Sequence, residues 1–392
     1  LWFYLLAPAL AATKSTAAAL ALVGALDALK FPFAYAIGQR VGGRSMGLFL
    51  ALAMGFPNWS LGAVPSTWTD VVIPVTSSNP VLGLDEVVRN LTVETGATLT
   101  VLGATLNVNG TSLDVQGTIA QGGLSVVALH PPGAPTTISG GGTIGAELQI
   151  GTPSSGSETT VTLTAPLTVA NNVTVSANTL VLGGNWLKTN DFFTNTTGRL
   201  EMTNSVDSLD ANNVGFTGGS TNGLLSNGKL VVRGNFFQGG NAEAFWGNVS
   251  HETILPGGTV QQVTFSNPSE VDSHFGRLRY EGTFGDSLIL GSDVWVFGQL
   301  LASGQRVVAS SDIPLTPRIL RVNGFDNSGG GQTVLANVSL YARDSWGLNF
   351  IGSLFFQSMS PNVPQLWLLG DGGTVNIGAA TFTSLNPGDA GV

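Results

Sequence analysis

The chain has 392 residues, a formal net charge of −9 and a pI near 4.7, with only 10% of its residues charged. Such an acidic chain with no large Lys/Arg cluster argues against nucleic acid as a partner, and the lack of any cysteine removes disulfides and thiolate metal sites. Fifty-three glycines and 43% hydrophobic residues suit short strands with uncharged polar faces, because long amphipathic helices need charged outer faces.

Composition divides the chain near residue 57, where an Ala/Leu-rich lead gives way to Thr, Val, Asn and Gly. Lys14 is the only charge between Leu1 and Leu26, a run long enough to cross about 30 Å of hydrocarbon as a helix, although Pro8 weakens it as one span. A second apolar run, Ala17 to Gly38, carries Asp27 and Lys30 three residues apart and Pro32 inside it. That pairing favours a helix packed on protein or lying at an interface. Arg40 and Arg44 then precede the apolar run Met46 to Gly55, which alone has the pattern of a signal peptide. Residues 1–56 are expected to form an apolar helical segment, membrane-associated or buried against a partner, with membrane lipid and integral membrane subunits as contacts. Its candidate interaction residues are Trp2, Phe3, Tyr4, Phe31, Phe33 and Tyr35. The competing expectation is an apolar lead-in that packs on the β module.

Residues 90–117, NLTVETGATLTVLGATLNVNGTSLDVQG, place a glycine at every seventh position: Gly96, Gly103, Gly110 and Gly117. Inside each unit the apolar residues alternate, as in Leu99 and Val101 or Leu106 and Val108, which is strand periodicity. Each short strand should end at a glycine free to take the positive φ of a tight turn. Successive strands with one inward pattern are expected to stack in register, Leu on Leu and Val on Val, as a β-solenoid. An antiparallel meander or β-sandwich gives the same period and stays open.

The alternation continues through residues 160–186, and LVLGGNW (180–186) is echoed by LVVRGNF (230–236). The expected organisation is all-β after the N-terminal segment: a β-repeat module over 57–309 and an aromatic-rich C-terminal cap over 310–392. Trp346 and Trp367 of that cap are candidate interface residues. Seven Asn-x-Ser/Thr sequons, at Asn58, Asn90, Asn109, Asn172, Asn195, Asn248 and Asn337, fit strand and turn chemistry better than glycosylation in so Asn- and Thr-rich a chain.

Two segments carry a resemblance. NWSLGAVPSTWTDVVIP (58–74), followed by the NLTVETGATLTV run, and GGTVQQVTFSNPSEVDSHFGRLRYEGTFGDSLILGSDVWVFGQL (257–300) resemble large secreted or cell-surface β-repeat proteins of gemmatimonad-like bacteria. The resemblance implies stacked rungs outside the cytoplasm and names no reaction. Because such bacteria include phototrophs, it also suggests an extrinsic subunit of a photosynthetic reaction centre–antenna assembly. The chain departs from that family in its long apolar N-terminus and modest length.

Chemistry-bearing groups are sparse. His130 precedes two prolines, and His274 with Asp272, Arg277 and Arg279 is the densest ionisable cluster, although DSHFGRL also fits a structural turn. Asp70, Asp85 and Glu86 offer carboxylates for Ca²⁺ without the spacing of a calcium loop. G-x-S-x-G, P-loop and two-histidine metal motifs do not occur. The expectation is a non-enzymatic scaffold without cofactor or metal, held at the cell envelope. A surface adhesin or filament subunit and a polysaccharide-active enzyme centred on His274 are the alternatives.

Overall fold

The computed structural model describes residues 69–151, 158–258, 260–283, 286–302, 306–311, 317–326, 332–343, 348–358, 364–369 and 376–384. They wind as a parallel β-solenoid of about 12 turns, with no helix. The expectations for residues 1–56, including Trp2, Phe3, Tyr4, Phe31, Phe33 and Tyr35, and for Trp346 lie outside the described residues. No helix long and apolar enough to cross a membrane occurs among those that are described.

The parallel register excludes the antiparallel meander: Leu91 pairs with Leu113, Leu99 with Ile119, and Leu106 with Val127. None of these pairs joins neighbouring glycine-punctuated units, which corrects the expectation that successive units stack on one another. Each unit is one side of a three-sided coil, and its stacking neighbour is three units on. The first turns show all three sides, as in Leu91–Val93, Thr98–Leu102 and Thr105–Val108. Alternation along each strand sends Leu and Val inward, with Val93, Val101, Val108, Leu113 and Val115 fully buried, while Thr and Asn face out. The echo between residues 180–186 and 230–236 is not a register repeat either. Leu180 stacks on the first face and Leu230 on the second.

The corner glycines act in two ways. Gly96 and Gly103 have φ of +81° and +60°, as the turn argument requires. Gly110 and Gly117 do not; a Cβ at Gly110 would lie 2.2 Å from the Arg89 carbonyl oxygen, and one at Gly117 would lie 2.3 Å from that of Ala97. Those two are glycines because the previous turn's backbone passes where a side chain would be.

Side-chain carboxylate and amide oxygens extend the backbone ladder around the corners. Asp191 Oδ1 accepts from the Asn213 backbone N–H at 2.9 Å, Asn213 Oδ1 from Asn235 N–H at 3.0 Å, and Asn235 Oδ1 from Gln262 N–H at 2.9 Å. Asn90 does the same near the start, its Oδ1 accepting from Thr111 and Ser112 N–H at 3.0 Å each. Two of the sequon asparagines, Asn90 and Asn172, therefore serve as inter-turn hydrogen-bonding groups, Asn172 Oδ1 accepting from Asn190 Nδ2 at 3.2 Å.

The core changes character along the axis. On the third face one inward column reads Val173, Phe192, Val214, Phe236, Val263, and the adjacent one reads Val175, Thr194, Phe216, Gln238, Phe265. Large and small side chains alternate both along and across the columns, so the rings interleave instead of eclipsing. Phe236 meets Phe265, Phe275 and Phe245 at centroid distances of 5.1, 5.0 and 4.9 Å in tilted or edge contacts. Gln238 is fully buried there. Its Nε2 donates to the Gly239 and Asn241 carbonyls, and its Oε1 accepts from Ser266 and Asn267 N–H. A polar group at that depth is tolerated because all four of its hydrogen bonds are made.

The first face is a seven-stranded sheet that ends at Arg199–Glu201; beyond it isolated bridges carry that side, Met202 to Leu225 to Gly247 and then Trp246 to His274. The longer strand Val294–Leu301 covers the first face, bends, and continues on the second, whereas later Val338–Arg343 keeps to the first face and Leu348–Ser358 runs from the second to the third. The partner of Val294–Leu301, Arg318–Asp326, follows it with a register shift between Val296 and Gln299. Parallel pairing persists through Asn376–Ser384.

Gly110→Ala is expected to cost about 3 kcal/mol or more, because two backbones must separate. Gly103→Ala, with a positive φ but open space around it, should cost only about 1 kcal/mol. Urea unfolding followed by circular dichroism distinguishes the two; equal losses would contradict the close-approach account.

Candidate functional site

On the first face of the later turns, outward positions line up into a column of planar side chains. Trp295 pairs with Arg321, Arg321 with Tyr341, and Tyr341 with Trp367. Strand alternation fixes their direction, since the flanking Val294, Val296, Leu320, Val322, Leu340 and Ala342 are buried. The Arg321 guanidinium carbon lies 5.1 Å from the Trp295 ring centroid and 5.3 Å from that of Tyr341, held between two π faces. Tyr341 and Trp367 stack at 5.6 Å with only 6° between their planes. Trp367 remains 47% exposed, with its Nε1 donating to Gln365 Oε1 at 2.9 Å. The Gln365 backbone is tied in turn to the Ser339 hydroxyl at 3.0 Å.

The neighbouring outward positions are polar. Asn323 Nδ2 donates to the Phe297 carbonyl at 2.8 Å, and Arg343 is exposed. Among the described residues neither Arg321 nor Arg343 has a carboxylate partner. That sets them apart from most arginines of earlier turns, Arg277 with its contact to Gln299 being an exception. Arg89 pairs with Asp70, Arg233 with Asp210 at 2.7 Å, and Arg279 with Glu252 at 2.7 Å, each bridging to an acid on the preceding turn.

The ionisable cluster suggested around His274 does not converge. Arg279 turns to Glu252, Arg277 donates to Gln299 Oε1 at 3.3 Å, and Asp272 accepts from the Ser269 hydroxyl at 2.8 Å. His274 is 1% exposed, with ring centroids of Trp246 at 4.9 Å and Phe297 at 5.3 Å. Its Nδ1 lies 3.2 Å from the Ser269 carbonyl oxygen and its Nε2 has no partner; burial pushes its pKa down. His251 is fully buried beside Phe245, with Nδ1 2.8 Å from the Asn227 carbonyl oxygen, and burial lowers its pKa to about 4. His130 stands apart, its Nε2 2.9 Å from Asn107 Oδ1.

The acidic trio at the start is also dispersed. Asp70 accepts from Arg89 and Asn90, and the guanidinium holds its carboxyl below the usual range. Asp85 Oδ1 accepts from Thr105 N–H at 2.7 Å. Glu86 sits in register with the inward Leu106, where burial and the adjacent Asp85 raise its pKa to about 7. Among the described residues no group of three or more His, Asp or Glu is placed to hold a metal ion.

Trp367 was the one member of the aromatic column that sequence reasoning singled out; Trp295, Arg321 and Tyr341 were missed. Their uneven spacing along the chain carries the signal but follows no fixed period, the Arg321 to Tyr341 step being shorter than those on either side. Fold and face together define the chain as a parallel β-solenoid protein with an exposed aromatic–arginine column. Comparison with family models, curated proteins and solved structures finds no match.

His251 makes stability pH-dependent. Between pH 6.5 and about 4 the unfolded chain binds a proton that the folded chain refuses, so folding should weaken by up to about 3 kcal/mol as acid is added. Glu86, with its raised pKa, contributes the opposite slope over part of that range. Burial lowers His274 and His130 as well, with the same sign, so His251→Gln, which keeps a donor for the Asn227 carbonyl, should reduce the acid-side loss by the His251 share. Urea midpoints at pH 4.5, 5.5 and 7 check this; an unchanged slope in the variant would exclude His251 as its source.

Proposed function

We propose that the chain is a non-enzymatic structural protein of the cell envelope, a rigid rod outside the cytoplasmic membrane that offers long, weakly charged faces to partner proteins. The observation that carries this reading is how the coil uses its reactive groups. Acids and bases on successive turns neutralise one another as staples, as Asp210 and Arg233 do, and His251 and His274 are packed away from solvent. Stacking that consumes its own titratable groups favours construction over catalysis.

In the finer version, residues 1–56 attach the rod to integral membrane subunits and to lipid. The resemblance of residues 58–74 and 257–300 makes an extrinsic subunit of a photosynthetic reaction centre–light-harvesting assembly its concrete form. A surface adhesin is the second reading, favoured by the exposed Trp367 and the unpaired Arg321.

Native membranes solubilised in mild detergent, with capture through a C-terminal tag and mass spectrometry, test the attachment. Integral membrane subunits in stoichiometric amount are the expected result. Recovery from the culture fluid, alone or as fibres and lacking residues 1–56, would overturn it.

A further inference from the structure

We propose that the face bearing Trp295, Arg321, Tyr341, Trp367 and Arg343 binds an acidic polysaccharide, one whose sugar rings carry carboxylates. The proposal goes beyond the scaffold reading, since it concerns a glycan and not a protein subunit.

Three observations converge on it. First, Arg321 is positioned by rings and not by an acid. A guanidinium held between Trp295 and Tyr341 keeps its donors, set in a fixed fork, free of any carboxylate among the described residues. That is the geometry a carboxylate engages with two parallel hydrogen bonds. Second, neither arginine of this face makes an ion pair among the described residues, the nearby acid, Asp293, turning its Oδ1 to the Ile319 N–H at 2.9 Å. The chain is acidic overall, and Arg89, Arg199, Arg233 and Arg279 each have a carboxylate partner. Arg321 and Arg343 lack one among the described residues, so an anion from outside completes the pattern. Third, Trp367 leaves nearly half its surface in water at the head of a stacked pair, with its ring direction pinned by Gln365. A large indole fixed in place while exposed offers an apolar face to the C–H side of a sugar ring, with little ordering cost left on binding.

The column's direction matters as well. Successive turns rise roughly 4.8 Å, so the strip from Trp295 to Trp367 runs roughly 14 Å along the rod. Arg343 lies one turn and two positions from Arg321, roughly 8 Å away by strand geometry. A linear polymer laid along the axis meets two cations and an aromatic surface in sequence. Gln365, Ser339 and Asn323, beside the column, supply hydrogen-bonding groups suited to hydroxyls.

The test uses the full chain and soluble polygalacturonate, with dextran as a neutral polymer and poly-aspartate as an acidic polymer without sugar. Affinity electrophoresis and tryptophan fluorescence titration read the binding. Polygalacturonate should retard and quench the wild type, with dextran and poly-aspartate at least tenfold weaker. Arg321→Gln and Trp367→Ala should each lose about tenfold in affinity while keeping the wild-type circular dichroism and melting temperature. Arg343→Gln, a fully surface change, should lose about threefold and covers the case in which Arg321→Gln perturbs the stack. No binding by the wild type, wild-type affinity in all three variants, or poly-aspartate binding as tightly as polygalacturonate would each overturn the proposal. Capture of membrane subunits by the tagged chain is independent of all these outcomes, so failure here leaves the scaffold reading separately decided.

Discussion

Everything in this molecule depends on parallel stacking at one rung per turn. Each residue lies roughly 4.8 Å from residues that share its orientation on the turns before and after, so a side chain must fit its own column as well as its own strand. Apolar columns meet that condition readily, because Leu over Leu and Val over Val simply extend the core, as at Leu91 and Leu113. Amides meet it too, since one amide both donates and accepts; Asn213 takes a hydrogen bond on one side while its own backbone gives one on the other. Like charges fail it. A column of lysines or glutamates would place the same sign at every rung, and the chain's 10% charged content is what that constraint leaves.

The constraint also explains why turn length varies while the core does not. Corners project outward and need only return the chain to register, so the step from Leu113 to Ile138 is longer than the step from Leu91 to Leu113. Both steps deliver an inward aliphatic residue to the same column. Bulk is adjusted locally in the same way. Where phenylalanines replace aliphatics, each sits over and beside something smaller, Val214 after Phe192 and Gln238 beside Phe236. Outward glycines answer their neighbours as well. A Cβ at Gly215 would lie 2.7 Å from the Phe193 ring, which covers that stretch of backbone from the turn before.

Strand character, the all-β class and stacked construction were legible in residues 90–117, because alternation and glycine punctuation are local properties. The path of the coil was not. Seven-residue units read as rungs because a sequence shows neighbours along the chain, whereas stacking partners are remote and unevenly spaced. The step from Leu82 to Val101 is short, for instance, and that from Leu340 to Leu366 is long. The glycines misled for a related reason. Gly110 looks like a turn residue, but its role is set by Arg89 on the preceding turn. The dense grouping around His274 dissolved because the chain turns a corner at Gly276: His274 and Phe275 are both buried before it, and alternation along Arg277–Tyr280 then sends Leu278 and Tyr280 inward and Arg277 and Arg279 outward to partners on other turns.

The aromatic column shows what such a scaffold can do with the same rule. An arginine needs something beside it on the next rung; Arg277 finds an amide, Gln299, and two further solutions contrast with each other. In the earlier turns an acid stands one turn away, so the charges cancel and the pair tightens the coil, as Asp210 does for Arg233. In the later turns aromatic faces take that place, as Trp295 and Tyr341 do for Arg321. Both satisfy the column geometrically, but a ring attracts the cation without neutralising it. The second solution therefore stabilises the stack and leaves a positive charge at the surface of an acidic protein. Where paired arginines complete the fold, Arg321 is structurally satisfied yet electrostatically open, and that difference turns one stretch of an otherwise self-contained rod into a surface able to recognise an anion.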